Sequence, residues 1–254
     1  MPGKVYLVGA GPGAPDLLTL RAARLLEAAD IVFYDALVHA DTVAIARNAL
    51  KIPVGKRCGR HSTAQRFINK RLVDAAGKFD TVVRLKGGDP LLFGRAQEEI
   101  DALREARIEC DVVPGITAAL AASAELRISL TQRGKSLSVV FATPRKAEPS
   151  CGAGWLDGVV SSDTAVLYMA AGQAGEVASA LIQAGMAADT PVAIVQSASL
   201  PDAVTFGTTL SGLRCEVKLP TGGPVLLLLG SAYRDLQSTR PLHACNTRAA
   251  AAGS

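Results

Sequence analysis

The chain has 254 residues, 49% of them hydrophobic and 20% charged, with a formal net charge of +4. That length supports one large domain or two smaller ones, and the balance of residue types excludes a disordered chain. A charge so near neutral, with an aromatic share of 4%, provides neither the field nor the stacking surface of a nucleic-acid binder, so no such partner is expected.

The N-terminus runs at once into "KVYLVGAG", strand-like over residues 5–8, with no charged leader of the secretory kind. After the glycine-rich "GAGPG" (9–13), residues 19–29 read as a helix, with Thr19 placed to cap it and Leu20, Ala23 and Leu26 on one face. A strand is expected at 31–34. A helix at 62–76 follows, opened by Ser62 with Gln65 three residues on, a capping box. Then come a strand at 81–85, a helix at 97–106 and a strand at 109–113. Such alternation calls for an open α/β sheet.

The texture changes after Arg133, where one strand (137–141) adjoins a Pro/Gly/Ser-rich loop. Alternation resumes with a strand at 164–169, a helix at 174–184, a strand at 191–196 and a final strand at 225–229. The expectation is therefore two α/β domains, 1–133 and 134–237. The tail 238–254 has no hydrophobic period and is expected to be disordered. The longest apolar runs, such as "GPVLLLLG", are too short to span a bilayer, so no membrane partner is expected. Cys58, Cys110, Cys151, Cys215 and Cys245 are odd in number and form no C-x-x-C pair. They support neither a metal site nor a disulfide framework, and the reading is free thiols in a cytoplasmic enzyme.

"VGKRCGRHSTAQR" (54–66) gathers Lys56, Arg57, Arg60, His61 and Arg66 in one loop, with Gly55 and Gly59 allowing the chain to bend. Read blandly it is a solvated connector; read functionally, convergent cations suit a carboxylate or phosphate. "GAGPG" suggests a dinucleotide turn, but the third glycine of G-x-G-x-x-G is missing and Pro12 interrupts it. "RLKGGDPLLFGR" (84–95) carries two glycines where a ligand could touch bare backbone, and Asp89 can accept hydrogen bonds. With "YDALV" (34–38) and "VPGITAA" (113–119), it falls at a strand's carboxyl end, where open α/β sheets bind ligands.

These segments, together with "DLLTLRAARLLEAADIVFYDALV", resemble the uroporphyrinogen III C-methyltransferases of the tetrapyrrole methylase superfamily, over residues 4 to 230 or so. The resemblance implies two α/β domains with S-adenosylmethionine between them as methyl donor, a tetrapyrrole substrate and a homodimer. It implies methylation of uroporphyrinogen III at C2 and C7, giving precorrin-2 via precorrin-1. It implies cofactor contacts at Pro12, Gly87, Gly88, Asp89, Leu92, Thr117, Ala118, Met169 and Ala198. Asp35, Arg57, Arg60 and His61 become the catalytic candidates, and Lys56 and Arg133 the further substrate contacts. The sequence departs from the family at Ala14, where Asp is usual, at Gln132, at "FATPRKA" (141–147) and at "YMAAG". Alternatives are a methylase of a later precorrin, a nucleotide-binding oxidoreductase using "GAGPG", and an inactive binding paralogue.

Overall fold

A computed structural model describes residues 2–55, 61–144, 154–214 and 222–238. The chain divides into two compact units, Met1–Ala121 and Ala122–Ser254. In the first, strands β1 (Lys4–Gly9), β2 (Ile31–Tyr34), β3 (Leu50–Pro53), β4 (Thr81–Lys86) and β5 (Cys110–Val113) lie in the order β3-β2-β4-β1-β5. All pairings are parallel. Helices α1 (Leu20–Glu27), α2 (Ala40–Ala44), α3 (His61–Ala76) and α4 (Ala96–Glu105) connect them, and α5 (Ala118–Leu126) follows β5.

The two-residue period of a strand distributes this sheet's side chains between two cores. Val5, Leu7, Ile31, Phe33 and Val82 pack with Ile68 and Leu72 of α3 and Leu103 of α4. Val8, Val32, Val83 and Leu85 pack with Ala22 and Leu26 of α1 on the other face. A parallel sheet covered on both sides explains the nearly unbroken burial of β4. Thr19 caps α1 as expected, its hydroxyl accepting from the Ala22 amide at 3.1 Å. α3 begins one residue before the expected start, so Ser62 lies within its first turn, while the amide nitrogen of Gln65 donates to Asn69 and Glu99.

The second unit contains β6 (Val139–Ala142), α6 (Gly154–Val160), β7 (Thr164–Leu167), α7 (Ala174–Gln183), β8 (Pro191–Gln196), β9 (Val204–Thr209), α8 (Leu210–Arg214) and β10 (Val225–Gly230). Its sheet runs β6-β7-β10-β8-β9. Only β6 and β7 pair in parallel; β10 is antiparallel to β7 and β8, and β8 to β9. The link between β8 and β9 is too short for a crossover helix, so the chain turns back as an antiparallel pair. Leu167, Ile194, Leu227, Leu181 of α7 and Leu210 of α8 share one core. Among the described residues no helix is long and apolar enough to cross a membrane.

Candidate active site

Because the first sheet is parallel, β1, β2, β4 and β5 end on one edge, and their loops gather there. The loops after β1 and β4 are tied backbone to backbone. Gly11 donates to the Gly88 carbonyl at 3.2 Å and Gly88 to the Gly11 carbonyl at 2.7 Å, after Ala10 donates to the Lys86 carbonyl at 2.7 Å. The loop after β5 packs against both. A Cβ on Gly115 would fall 2.3 Å from the Gly88 carbonyl oxygen, and one on Gly9 2.6 Å from Gly115. Side chains are excluded from this crossing, which leaves bare backbone at the sheet edge.

Asp89 locks the arrangement. Its Oδ1 accepts from the Leu91 amide at 2.8 Å and its Oδ2 from the Gly115 amide at 3.0 Å, joining the β4 and β5 loops. Gly88 has φ of +68°, a conformation that only glycine adopts freely. A Cβ there would meet nothing nearer than the Thr117 backbone at 4.0 Å, so the space beside Gly88 is open. Leu92 donates to the Asp89 carbonyl at 3.3 Å, Pro12 is half-buried, and Thr117 precedes the first residue of α5, Ala118. The first unit thus brings together seven of the expected cofactor residues: Pro12, Gly87, Gly88, Asp89, Leu92, Thr117 and Ala118. An open space walled by bare backbone suits a cofactor gripped through amides and carbonyls.

The same geometry disfavours a dinucleotide turn. The Gly11 amide is committed to Gly88, and α1 starts only at Leu20, after a short 3-10 turn at Pro15–Leu17. A pyrophosphate would need free amides opening directly into a helix.

In the second unit Met169 is 44% exposed with φ of +56°, and Ala198 is buried just beyond β8 between Ser197 and Ser199, whose φ values are also positive. Arg133 is exposed in a tight turn, where Gln132 and Ser136 exchange backbone hydrogen bonds of 2.9 and 2.8 Å. Lys56, Arg57 and Arg60 lie outside the described residues, as do Cys58, Cys151, Cys215, Cys245 and the tail beyond Ser238; His61 opens α3, with its side chain outside the description. Burial pushes the Cys110 thiol up to about 11, so it is no ready nucleophile. Among the described residues no group of three His, Cys, Asp or Glu could hold a metal.

Asp35 follows β2 and donates its amide to the Leu85 carbonyl at 3.3 Å. Its Oδ1 accepts from Arg84 Nη2 at 2.5 Å. Arg84 and Lys86, two residues apart on β4, share the face of Val82 and reach Glu99, which is fully buried on α4. Burial works against the Arg84 charge, but Glu99 and Asp35 outweigh it and hold the guanidinium more basic than usual. At Lys86 burial prevails, reinforced by repulsion from Arg84, and the ammonium's affinity for its proton falls. Sequence reasoning missed this cluster. The signal was present: two cations at alternate positions inside a hydrophobic strand, and a carboxylate on the apolar stripe that Ala96 and Leu103 define.

Residues 4–214 match the family described as Tetrapyrrole (Corrin/Porphyrin) Methylases. The chain belongs to that family. It is 42% identical over 231 residues to a uroporphyrinogen-III C-methyltransferase of Paracoccus denitrificans, covering 90% of this chain and 80% of that protein. It is 46% identical over 229 residues to a siroheme synthase of Zymomonas mobilis, covering 90% of this chain but 48% of that protein. The chain thus spans about half the length of the siroheme synthases it matches. Among solved structures, a uroporphyrin-III C-methyl transferase from Thermus thermophilus complexed with S-adenyl homocysteine is 35% identical, with a TM-score of 0.78 over 92% of this chain and all of that one.

Proposed function

We propose that this protein transfers methyl groups from S-adenosylmethionine to C2 and C7 of uroporphyrinogen III, giving precorrin-2 by way of precorrin-1. The observation that carries the reading is the glycine-lined edge beside Gly88, in a chain 35% identical to the Thermus protein whose structure contains S-adenyl homocysteine. The proposed cofactor contacts are Pro12, Gly87, Gly88, Asp89, Leu92, Thr117 and Ala118; Met169 and Ala198 are proposed on the family resemblance alone. When bound, S-adenosylmethionine supplies an electrophilic sulfonium methyl, whose bond to sulfur breaks as a pyrrole carbon forms the new carbon–carbon bond.

The protein's own residues bind and orient. Uroporphyrinogen III is ringed with carboxylates, which Lys56, Arg57, Arg60, His61 and Arg133 are proposed to hold; arginine's planar fork fixes direction as well as charge. Asp35 accepts a pyrrole N–H or the proton that the macrocycle releases. Holding the reacting atoms in line is worth up to roughly 7–11 kcal/mol in the best cases. The subunits work as a homodimer.

Calorimetric titration with S-adenosylhomocysteine and with NAD tests the cofactor half of this reading. The wild type should bind the former and not the latter. Gly88→Val, which forces a β-branched residue into a left-handed conformation and fills the open space, should lose that binding while keeping its circular dichroism. Binding of NAD alone, or an unchanged dissociation constant in the variant, would overturn the placement.

A further inference from the structure

Behind the loop edge, four charged side chains and one amide meet where β4 packs against α3 and α4. The fully buried Glu99 carboxylate accepts from Arg84 Nε at 3.1 Å, from Lys86 Nζ at 3.1 and 3.2 Å, and from Gln65 Nε2 at 3.1 Å. Arg84 uses its whole fork. Nε goes to Glu99, Nη1 to the Leu85 carbonyl at 3.1 Å, and Nη2 to Asp35 Oδ1 at 2.5 Å.

Exposure along the cluster is graded. The side chains of Glu99, Arg84 and Lys86 are 0%, 2% and 4% exposed, and that of Asp35 is 29% exposed. Stability alone does not call for such a cluster, because well-packed apolar residues often hold a sheet to a helix as firmly as a buried ion pair. What the cluster adds is direction. A planar guanidinium fixed at Nε and Nη1 can point Nη2 only one way, and that way leads to the single partly exposed member.

We infer that Arg84, locked in place by Glu99, is the positioning residue that fixes the Asp35 carboxylate at the substrate-facing edge of the parallel sheet. Oδ1 is held by Arg84, no described residue hydrogen-bonds Oδ2, and Oδ2 is the atom offered to a pyrrole N–H. The identity of that partner rests on the methyltransferase reading; the fixing of the carboxylate does not. Lysine could not replace Arg84, since a single ammonium cannot bond Glu99, a carbonyl and Asp35 in fixed directions.

The test is a double-mutant cycle of Arg84→Lys and Asp35→Ala, read as kcat and KM for uroporphyrinogen III, S-adenosylhomocysteine affinity and crystal structures. Each single variant should lose about 10- to 100-fold in kcat, the scale of a misplaced reacting group. The double variant should be no worse than Asp35→Ala, because Arg84 then has nothing to position. Cofactor affinity should stay at the wild-type value. Losses that multiply would give Arg84 a role independent of Asp35 and overturn the inference. Should Arg84→Lys fail to fold, Arg84→Gln/Glu99→Gln removes one cation and one anion together and carries the same expectation. In the crystal, Asp35 should leave its position when Arg84 is replaced. A carboxylate still held there overturns the inference even if the wild type proves inactive, whereas inactivity with a displaced Asp35 defeats the methyltransferase reading alone.

Discussion

Arg84 and Asp35 illustrate how much a single side chain can owe to its neighbours in this protein. Asp35, which lies just beyond β2, was a candidate through the family resemblance, but its orientation depends on residues 49 and 64 positions away, and no local pattern reports such distances. The basic run around Arg57 and Arg60 is the opposite case. It is conspicuous in the sequence and lies outside the described residues. If these guanidiniums clamp substrate carboxylates, Arg57→Ala and Arg60→Ala should each lower kcat/KM for uroporphyrinogen III, at about 1.5–3 kcal/mol per lost charged hydrogen bond. S-adenosylhomocysteine affinity should hold steady in both. Lys56→Ala should cost less, an ammonium being a point charge without the fork. Wild-type kinetics in all three variants would make the run a solvated connector.

At the scale of elements, the strongly patterned segments were readable and the exceptions have physical reasons. β2 and β8 fall where apolar, β-branched runs place them, and α1 starts where Thr19 caps it, but its buried face is Ala22 and Leu26, not the expected Leu20, Ala23 and Leu26, since Leu20 is 77% exposed. The helix α5 escaped notice because "AALAASAEL" is small and apolar on every side and so shows no period. β3, a short and largely exposed edge strand, offered too little hydrophobic signal. β6 starts two residues later than the sequence suggested. The amides of Leu137 and Ser138 are taken by Asp163 at 2.9 Å instead of entering the ladder directly.

That bonding makes an acid-sensitive strap across the start of β6. The Leu137 amide first, then the hydroxyl and amide of Ser138, favour the charged form of Asp163 and hold its carboxyl below the usual range. The unfolded chain takes up this proton at a higher pH than the folded one. The stabilisation is therefore present above the ordinary carboxylate range and lost as pH falls through the lower, folded value. Asp163→Asn should be less stable than wild type near neutrality and converge with it in acid, as urea midpoints would record. Parallel curves across that range would contradict the assignment.

For the whole molecule, alternation of strands and helices announced two α/β units, and in the first the carboxyl-edge rule pointed to the edge where the loops after β1, β4 and β5 meet. The mixed sheet of the second was not legible, because pairing direction depends on connection geometry more than on the strands' own residues. If the homodimer implied by the family resemblance is correct, light scattering at micromolar concentration should return twice the mass of the 26.3 kDa chain. A monomer mass would count against it.

Methyl transfer to uroporphyrinogen III is decided by anaerobic incubation of the purified protein with that substrate and S-adenosylmethionine, followed by mass spectrometry. The macrocycle should gain two methyl groups through a singly methylated intermediate, with S-adenosylhomocysteine released in step. A macrocycle of unchanged mass, from protein shown in the same preparation to bind S-adenosylhomocysteine, would contradict the account.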